Sequence, residues 1–159
     1  IRFKLSGFDL QEMELAYAPP FSSAKDPVNM AGYVIGNVME GLMKPFYLED
    51  LESIPEDAVR LDVRTVEEYA GGTIPGFINI PLDSLRERMD ELDLTKDIYI
   101  TCQIGLRGYL AQRILDQAGA RTWNLSGGYR FYEMKAKDEQ SMAAAMTMCT
   151  ECGMEVNAK

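Results

Sequence analysis

Four short runs rich in β-branched and apolar residues, at 58–63, 77–80, 97–102 and 121–125, alternate with segments that carry helix signals. Such alternation leaves a chain few options. Each helical crossover returns the chain so that successive strands run parallel, and helices then cover both faces of the sheet. The intervening signals are specific. Thr65-Val-Glu-Glu68 is a capping box, with Thr65 as N-cap and Glu68 reaching back. Leu82, Leu85 and Met89 mark a second helix. Leu106, Leu110, Ile114 and Ala118 repeat at helical spacing and are closed by Gly119; Gly127-Gly128 opens a last helix from 129 to about 137. The pattern predicts an α/β fold with a central parallel sheet. In such sheets ligands bind beyond the carboxyl ends of the strands.

One strand end stands out. In Asp97-Ile-Tyr-Ile-Thr-Cys-Gln-Ile-Gly-Leu-Arg-Gly108 a β-type run ends in a thiol, and a glycine-containing turn leads into a helix. Backbone N–H groups and the positive end of the helix dipole converge at such a turn, and Arg107 adds a full charge. This setting favours thiolate over thiol and makes Cys102 a nucleophile able to hold an anionic sulfur species. The alternative is a buried strand-end cysteine that packs as a small hydrophobe.

Composition narrows the chemistry. Histidine is absent, which excludes Ser-His and Cys-His triads and any site needing imidazole. The net charge of −9 argues against a nucleic-acid partner. With 47% hydrophobic residues the chain can bury a core, yet no apolar run approaches membrane-spanning length. A cytoplasmic protein with no membrane association is the expectation. Three cysteines do not form a secreted disulfide framework. The chain opens at Ile1 in mid-pattern, as a piece of something longer would.

Cys102-Gln-Ile-Gly-Leu-Arg107 matches the Cys-x-x-Gly-x-Arg loop of rhodanese-type sulfurtransferases. Leu61-Asp-Val-Arg64 before Glu67-Glu-Tyr69, Gly72-Thr-Ile-Pro-Gly76 leading into Asn79-Ile-Pro-Leu82, and Leu125-Ser-Gly-Gly128 resemble further marks of that family, in its order. The resemblance covers roughly 45–137 and implies a three-layer rhodanese-like fold. It implies Cys102 as the catalytic residue, cycling between thiolate and persulfide. Gln103, Ile104, Gly105, Leu106, Arg107 and Gly108 would form the substrate-binding loop, their N–H groups holding the anionic sulfur. Arg107 would either donate to substrate or fix the loop by pairing with a carboxylate. Asp62 and Arg64, at a neighbouring strand end, are open to two roles: a salt bridge or substrate binding. The donor would be thiosulfate or a persulfide and the acceptor a thiol or cyanide. Cysteine phosphatases place five residues between cysteine and arginine; here there are four, a smaller cradle fitted to sulfur. Two positions depart from the family: Thr73, where many members carry His, and Gly108, where Ser or Thr often follows the arginine.

Residues 1–44 form a mostly helical and irregular arm, with a helix expected from Pro27 to about Gly41 and Asp26 as its N-cap. Leu15-Ala-Tyr-Ala-Pro-Pro-Phe-Ser-Ser-Ala-Lys-Asp-Pro-Val-Asn-Met-Ala-Gly-Tyr33 resembles the C-terminal end of flavin disulfide reductases of the CoA-disulfide reductase and NADH oxidase type, some of which carry a rhodanese domain downstream. The resemblance implies a severed dimerisation-domain remnant, the missing flavoenzyme domains as partners, and a possible homodimer through the arm, with Tyr17 near the partner's site. Val28, Ala31, Val34, Ile35, Val38 and Leu42 should find cover against the rhodanese domain or another copy. FAD, NAD(P)H and CoA are implied for the full-length parent alone. The nucleotide-binding glycine fingerprints are absent, so no cofactor is expected in this chain. Residues 138–159 read as a tail. Its Cys149/Cys152 pair is compatible with a flexible tail, a sulfur relay or half of an intermolecular metal site; with no histidine, the chain alone completes no metal site. Two functions follow: a sulfurtransferase, or a non-catalytic persulfide carrier or docking module of a pyridine nucleotide-disulfide oxidoreductase.

Overall fold

The structure, a computed structural model, describes residues 4–15 and 26–151. Two compact units divide the chain, Ile1–Pro45 and Phe46–Lys159. The first holds α1 (Gly7–Gln11) and α2 (Pro27–Met39). As the sequence predicts, Asp26 caps α2 by accepting from the Val28 N–H, and Pro27 occupies the first turn. α2 meets α1 through its glycines: a side chain at Gly32 would press on the backbone of Leu10 and Gln11. Asn29 Nδ2 donates to the carbonyls of Leu10, at 3.0 Å, and Met13, at 3.0 Å. Val28, Val34, Ile35 and Val38 are exposed, so the cover expected for them is not supplied within this unit. Tyr17 lies outside the described residues.

The second unit is built on a five-stranded sheet, among the described residues, of order β1-β5-β4-β2-β3. The strands are β1 (Pro45–Phe46), β2 (Val59–Asp62), β3 (Ile78–Asn79), β4 (Asp97–Thr101) and β5 (Arg121–Leu125). The pairings β2–β3, β2–β4 and β4–β5 are parallel. Their register sets Asp62 beside both Asn79 and Thr101, and Ile100 beside Asn124. The carboxyl ends of four strands therefore share one edge, where ligands bind in parallel sheets. α3 (Val66–Ala70), α4 (Leu106–Gln117) and α5 (Gly128–Glu151) complete the fold.

Side-chain parity divides the core. Ile98 and Ile100 of β4, and Cys102 just beyond it, face one side, with Leu61, Val63, Leu85 and the α4 residues Ala111 and Leu115. Tyr99 faces the other, stacked on Trp123 at 5.1 Å, above Phe46, Phe77 and Leu125. Burying a leucine such as Leu115 contributes about 1.5–3 kcal/mol, so the two clusters clamp the sheet from both sides.

Two expectations need correction. Residues 82–91 do not form an α-helix but two 3-10 turns, Leu82–Ser84 and Met89–Glu91. The i,i+3 spacing of Leu82 and Leu85 serves a 3-10 turn as well as an α-helix, and Leu85 is fully buried either way. The last helix runs to Glu151 rather than 137. Beyond Lys137 the sequence is rich in Ala and Met, which propagate a helix on propensity, and residues 138–143 are exposed. Cys149 falls within α5, and Cys152 lies outside the described residues. Among the described residues no helix is long and apolar enough to cross a membrane.

Candidate active site

β4 hands the chain to the loop at Cys102, which is 1% exposed and belongs to the α4-side core. The turn is made at Gly105, the N-cap of α4, with φ 118° and ψ −28°, a conformation that favours glycine. The Gly105 N–H donates to Cys102 Sγ at 3.1 Å. The loop carbonyls are engaged elsewhere. Gly105 O accepts from the Tyr109 N–H at 2.9 Å and from Asn124 Nδ2 at 3.0 Å. The first turn of α5 takes two more: the Tyr129 N–H donates to Cys102 O at 2.8 Å and the Arg130 N–H to Gln103 O at 3.1 Å. That docking needs Gly128, at φ 60°, because any Cβ there would overlap Cys102 O. With its carbonyls held this way, the loop can present a donor to the sulfur, and a fixed donor stabilises negative charge there.

Arg107 is held by Glu68 through two bonds, Nη1 to Oε2 at 2.6 Å and Nη2 to Oε1 at 2.7 Å. Glu68 is also the carboxylate of the predicted capping box, accepting from the Thr65 N–H at 2.9 Å. One side chain thus ties the start of α3 to the start of α4. The bonds from Arg107, ahead of every other cause, hold the Glu68 carboxyl down at about 2, while burial opposes them. Of the two roles open to Arg107, the structure shows the loop-fixing pair.

A family model for the rhodanese-like domain matches residues 48–135. The chain belongs to the rhodanese family. The crystal structure of reduced Bacillus anthracis CoADR-RHD is 46% identical with a TM-score of 0.79, covering 82% of this chain and 24% of that one. An NAD-dependent persulfide reductase from A. fulgidus is 39% identical with a TM-score of 0.72, over 82% of this chain and 23% of its own. The putative sulfurtransferase YtwF of Bacillus subtilis is 34% identical over 82 residues, 52% of this chain and 80% of its length. This chain spans about a quarter of the two longer proteins. The 82% shared with them is more than residues 46–159 alone can supply, so the likeness reaches into the arm.

In this rhodanese domain Asp62 and Arg64 are 0% and 1% exposed and form a salt bridge of 2.7 Å. Arg64 also donates to Gly72 O at 2.7 Å, Glu68 O at 3.3 Å and Gln103 Oε1 at 3.4 Å, and its guanidinium lies 3.9 Å from the centre of the Tyr129 ring. Both groups are withdrawn from solvent, so of their two possible roles the salt bridge is the one the structure shows. They brace the loop through Gln103. Ile104 and Leu106 are 61% and 62% exposed. Gly108 is buried against Asn124. A cavity of about 390 Å³ lined by Leu48, Arg60, Phe77 and Tyr132 does not include Cys102.

Sequence reasoning missed two residues. Glu68 was visible as a capping carboxylate, but its partner Arg107 lies far along the chain. Asn124 carried no signal beyond being a polar residue in an apolar strand.

Proposed function

We propose that this chain is a sulfurtransferase domain that moves sulfane sulfur through a persulfide on Cys102. The supporting observation is the Gly105 N–H aimed at Cys102 Sγ, at 3.1 Å, in a loop otherwise held by α5 and β5. The Cys102 thiolate attacks the outer sulfur of thiosulfate or of a persulfide. The S–S bond of the donor breaks, its electron pair leaves with sulfite or a thiolate, and Cys102 becomes a persulfide. An acceptor thiolate then attacks the outer sulfur, and the electron pair returns to Cys102. No oxidant and no histidine is consumed in either half. The loop residues 103–107 line the path of the sulfur, and Ile104 and Leu106 meet the donor first.

Similarity to CoADR-RHD and to a persulfide reductase favours a second reading, in which the domain carries a persulfide for a pyridine nucleotide-disulfide oxidoreductase. In that reading FAD, NAD(P)H and CoA belong to the parent, and the missing flavoenzyme domains and a second copy joined through the arm are the partners. A cytoplasmic setting suits either, since a thiol that must stay reduced needs a reducing compartment. Thiosulfate:cyanide transfer by wild type and by Cys102→Ser tests the first reading. Activity lost on substitution supports transfer. An inactive wild type whose Cys102 nonetheless gains one sulfur supports the carrier. A Cys102 that neither turns over nor accepts sulfur removes both.

A further inference from the structure

Asn124, the last residue but one of β5, reaches the reactive loop and is 2% exposed. Its Nδ2 donates to Gly105 O at 3.0 Å. The acceptor is a carbonyl, which fixes the amide's orientation: nitrogen towards Gly105, oxygen away. That oxygen, Oδ1, is buried with no hydrogen-bond partner. A buried acceptor left unpaired destabilises a fold, so its retention asks for a compensating use. Gly108 makes room for it, because any Cβ at that position would overlap Asn124 Oδ1. The departure at Gly108 from the serine or threonine common in the family thus has a steric partner in β5.

We infer that Asn124 is the positioning residue of the sulfur cradle. Gly105 carries both ends of the link. Its carbonyl is pinned from one side by the Tyr109 N–H and from the other by Asn124, while its own N–H reaches Cys102 Sγ. A glycine at φ 118° has wide freedom, and two bonds on its carbonyl remove that freedom. Without Asn124 the Gly105 carbonyl is held by the helix bond alone, and the preceding peptide, which bears the N–H and joins it at the flexible Gly105 Cα, gains freedom to turn off the sulfur. Asn124 touches neither the sulfur nor a substrate; it acts through Gly105. The effect on turnover rests on the sulfur-transfer reading, whereas the geometric claim does not.

The test uses the full chain labelled with 15N-glycine. The Gly105 amide resonance in Cys102→Ala marks the position it takes with no sulfur acceptor. Asn124→Leu, similar in size but without a donor, is expected to move the Gly105 resonance towards that position and to slow sulfur loading of Cys102 about tenfold, less than outright deletion of a donor. Gly108→Ala should do the same by displacing Asn124 and serves if Asn124→Leu does not fold. Gln112→Leu is the control. Gln112 is equally buried in the same α4–β5 layer, with an unpaired Oε1, but donates to Thr122 O at 3.0 Å and to no loop residue. It should leave both readouts unchanged. An unmoved Gly105 resonance in folded Asn124→Leu or Gly108→Ala overturns the inference, as does an equal shift in Gln112→Leu. If the resonance moves as expected but wild type accepts no sulfur, the positioning stands and the proposed function alone fails.

Discussion

Replacing Arg64 with methionine strips the loop of its buried brace, and its cost can be worked from the contacts. Arg64 makes three side-chain bonds to Asp62, at 3.1, 3.0 and 2.7 Å, beside those to the carbonyls of Glu68 and Gly72. Methionine fills much of the same volume but leaves Asp62 at 0% exposure with no counter-charge. The backbone N–H of residue 64, which donates to Asp62 Oδ1 at 3.0 Å, is its remaining local donor. Breaking a buried pair from one side costs about 3–5 kcal/mol. For a domain of this size each kcal/mol moves Tm by about 2–4 °C, so a fall of about 10 °C is expected. Thermal denaturation followed by circular dichroism measures the fall in Tm, and urea titration the loss in free energy. Removing both charges, Asp62→Leu with Arg64→Met, should restore at least half of the loss, because the penalty lies in the orphaned carboxylate. A single-variant loss below about 1 kcal/mol would refute the reasoning. So would a double variant no more stable than the single one.

Further outcomes follow from the same geometry. Glu68, held down at about 2 against an ordinary 4.5, contributes stability above pH 4.5 that is lost as pH falls towards 2. The stability gap between wild type and Glu68→Gln should therefore be constant above about pH 5 and close below it. The pair is about one-third exposed, so the gap should be about 1 kcal/mol or less. A gap as wide at pH 3 as at pH 7 in urea titrations contradicts the assignment. Gly128→Ala should destabilise by about 1–3 kcal/mol and slow sulfur loading, since a Cβ meets Cys102 O in addition to the strain at φ 60°. Gly119→Ala, at φ 91° but with open space around it, should carry the backbone strain alone and leave loading intact. Equal loading defects in the two variants would sink the docking argument.

The parts of the fold written in short-range pattern were legible. β2, β4 and β5 appear where apolar β-type runs stand, and the Thr65 and Asp26 caps sit where their side chains announce them. β1 was not, because Pro45–Phe46 is two residues long and stands in no β-type run, whereas the equally short β3 lies within the run 77–80. Spacing also misled where two structures share it, at Leu82 and Leu85, and composition misled where α5 continues on propensity with exposed residues. The site divides in the same way. Cys102, Gly105 and Arg107 lie within one short stretch and could be read together. The partners that fix them, Glu68, Asn124 and the first turn of α5, arrive through strand register and helix docking, which no local pattern encodes.

The central claim is that Cys102 carries sulfur. Intact-protein mass after incubation with thiosulfate or a low-molecular-weight persulfide, followed by peptide mapping, tests it most directly. A gain of one sulfur on the Cys102 peptide, removed by a thiol and absent in Cys102→Ser, is the result expected. A protein that stays at its starting mass with both donors, while Cys102 remains a free thiol, would reduce the loop to a buried strand end and contradict the account.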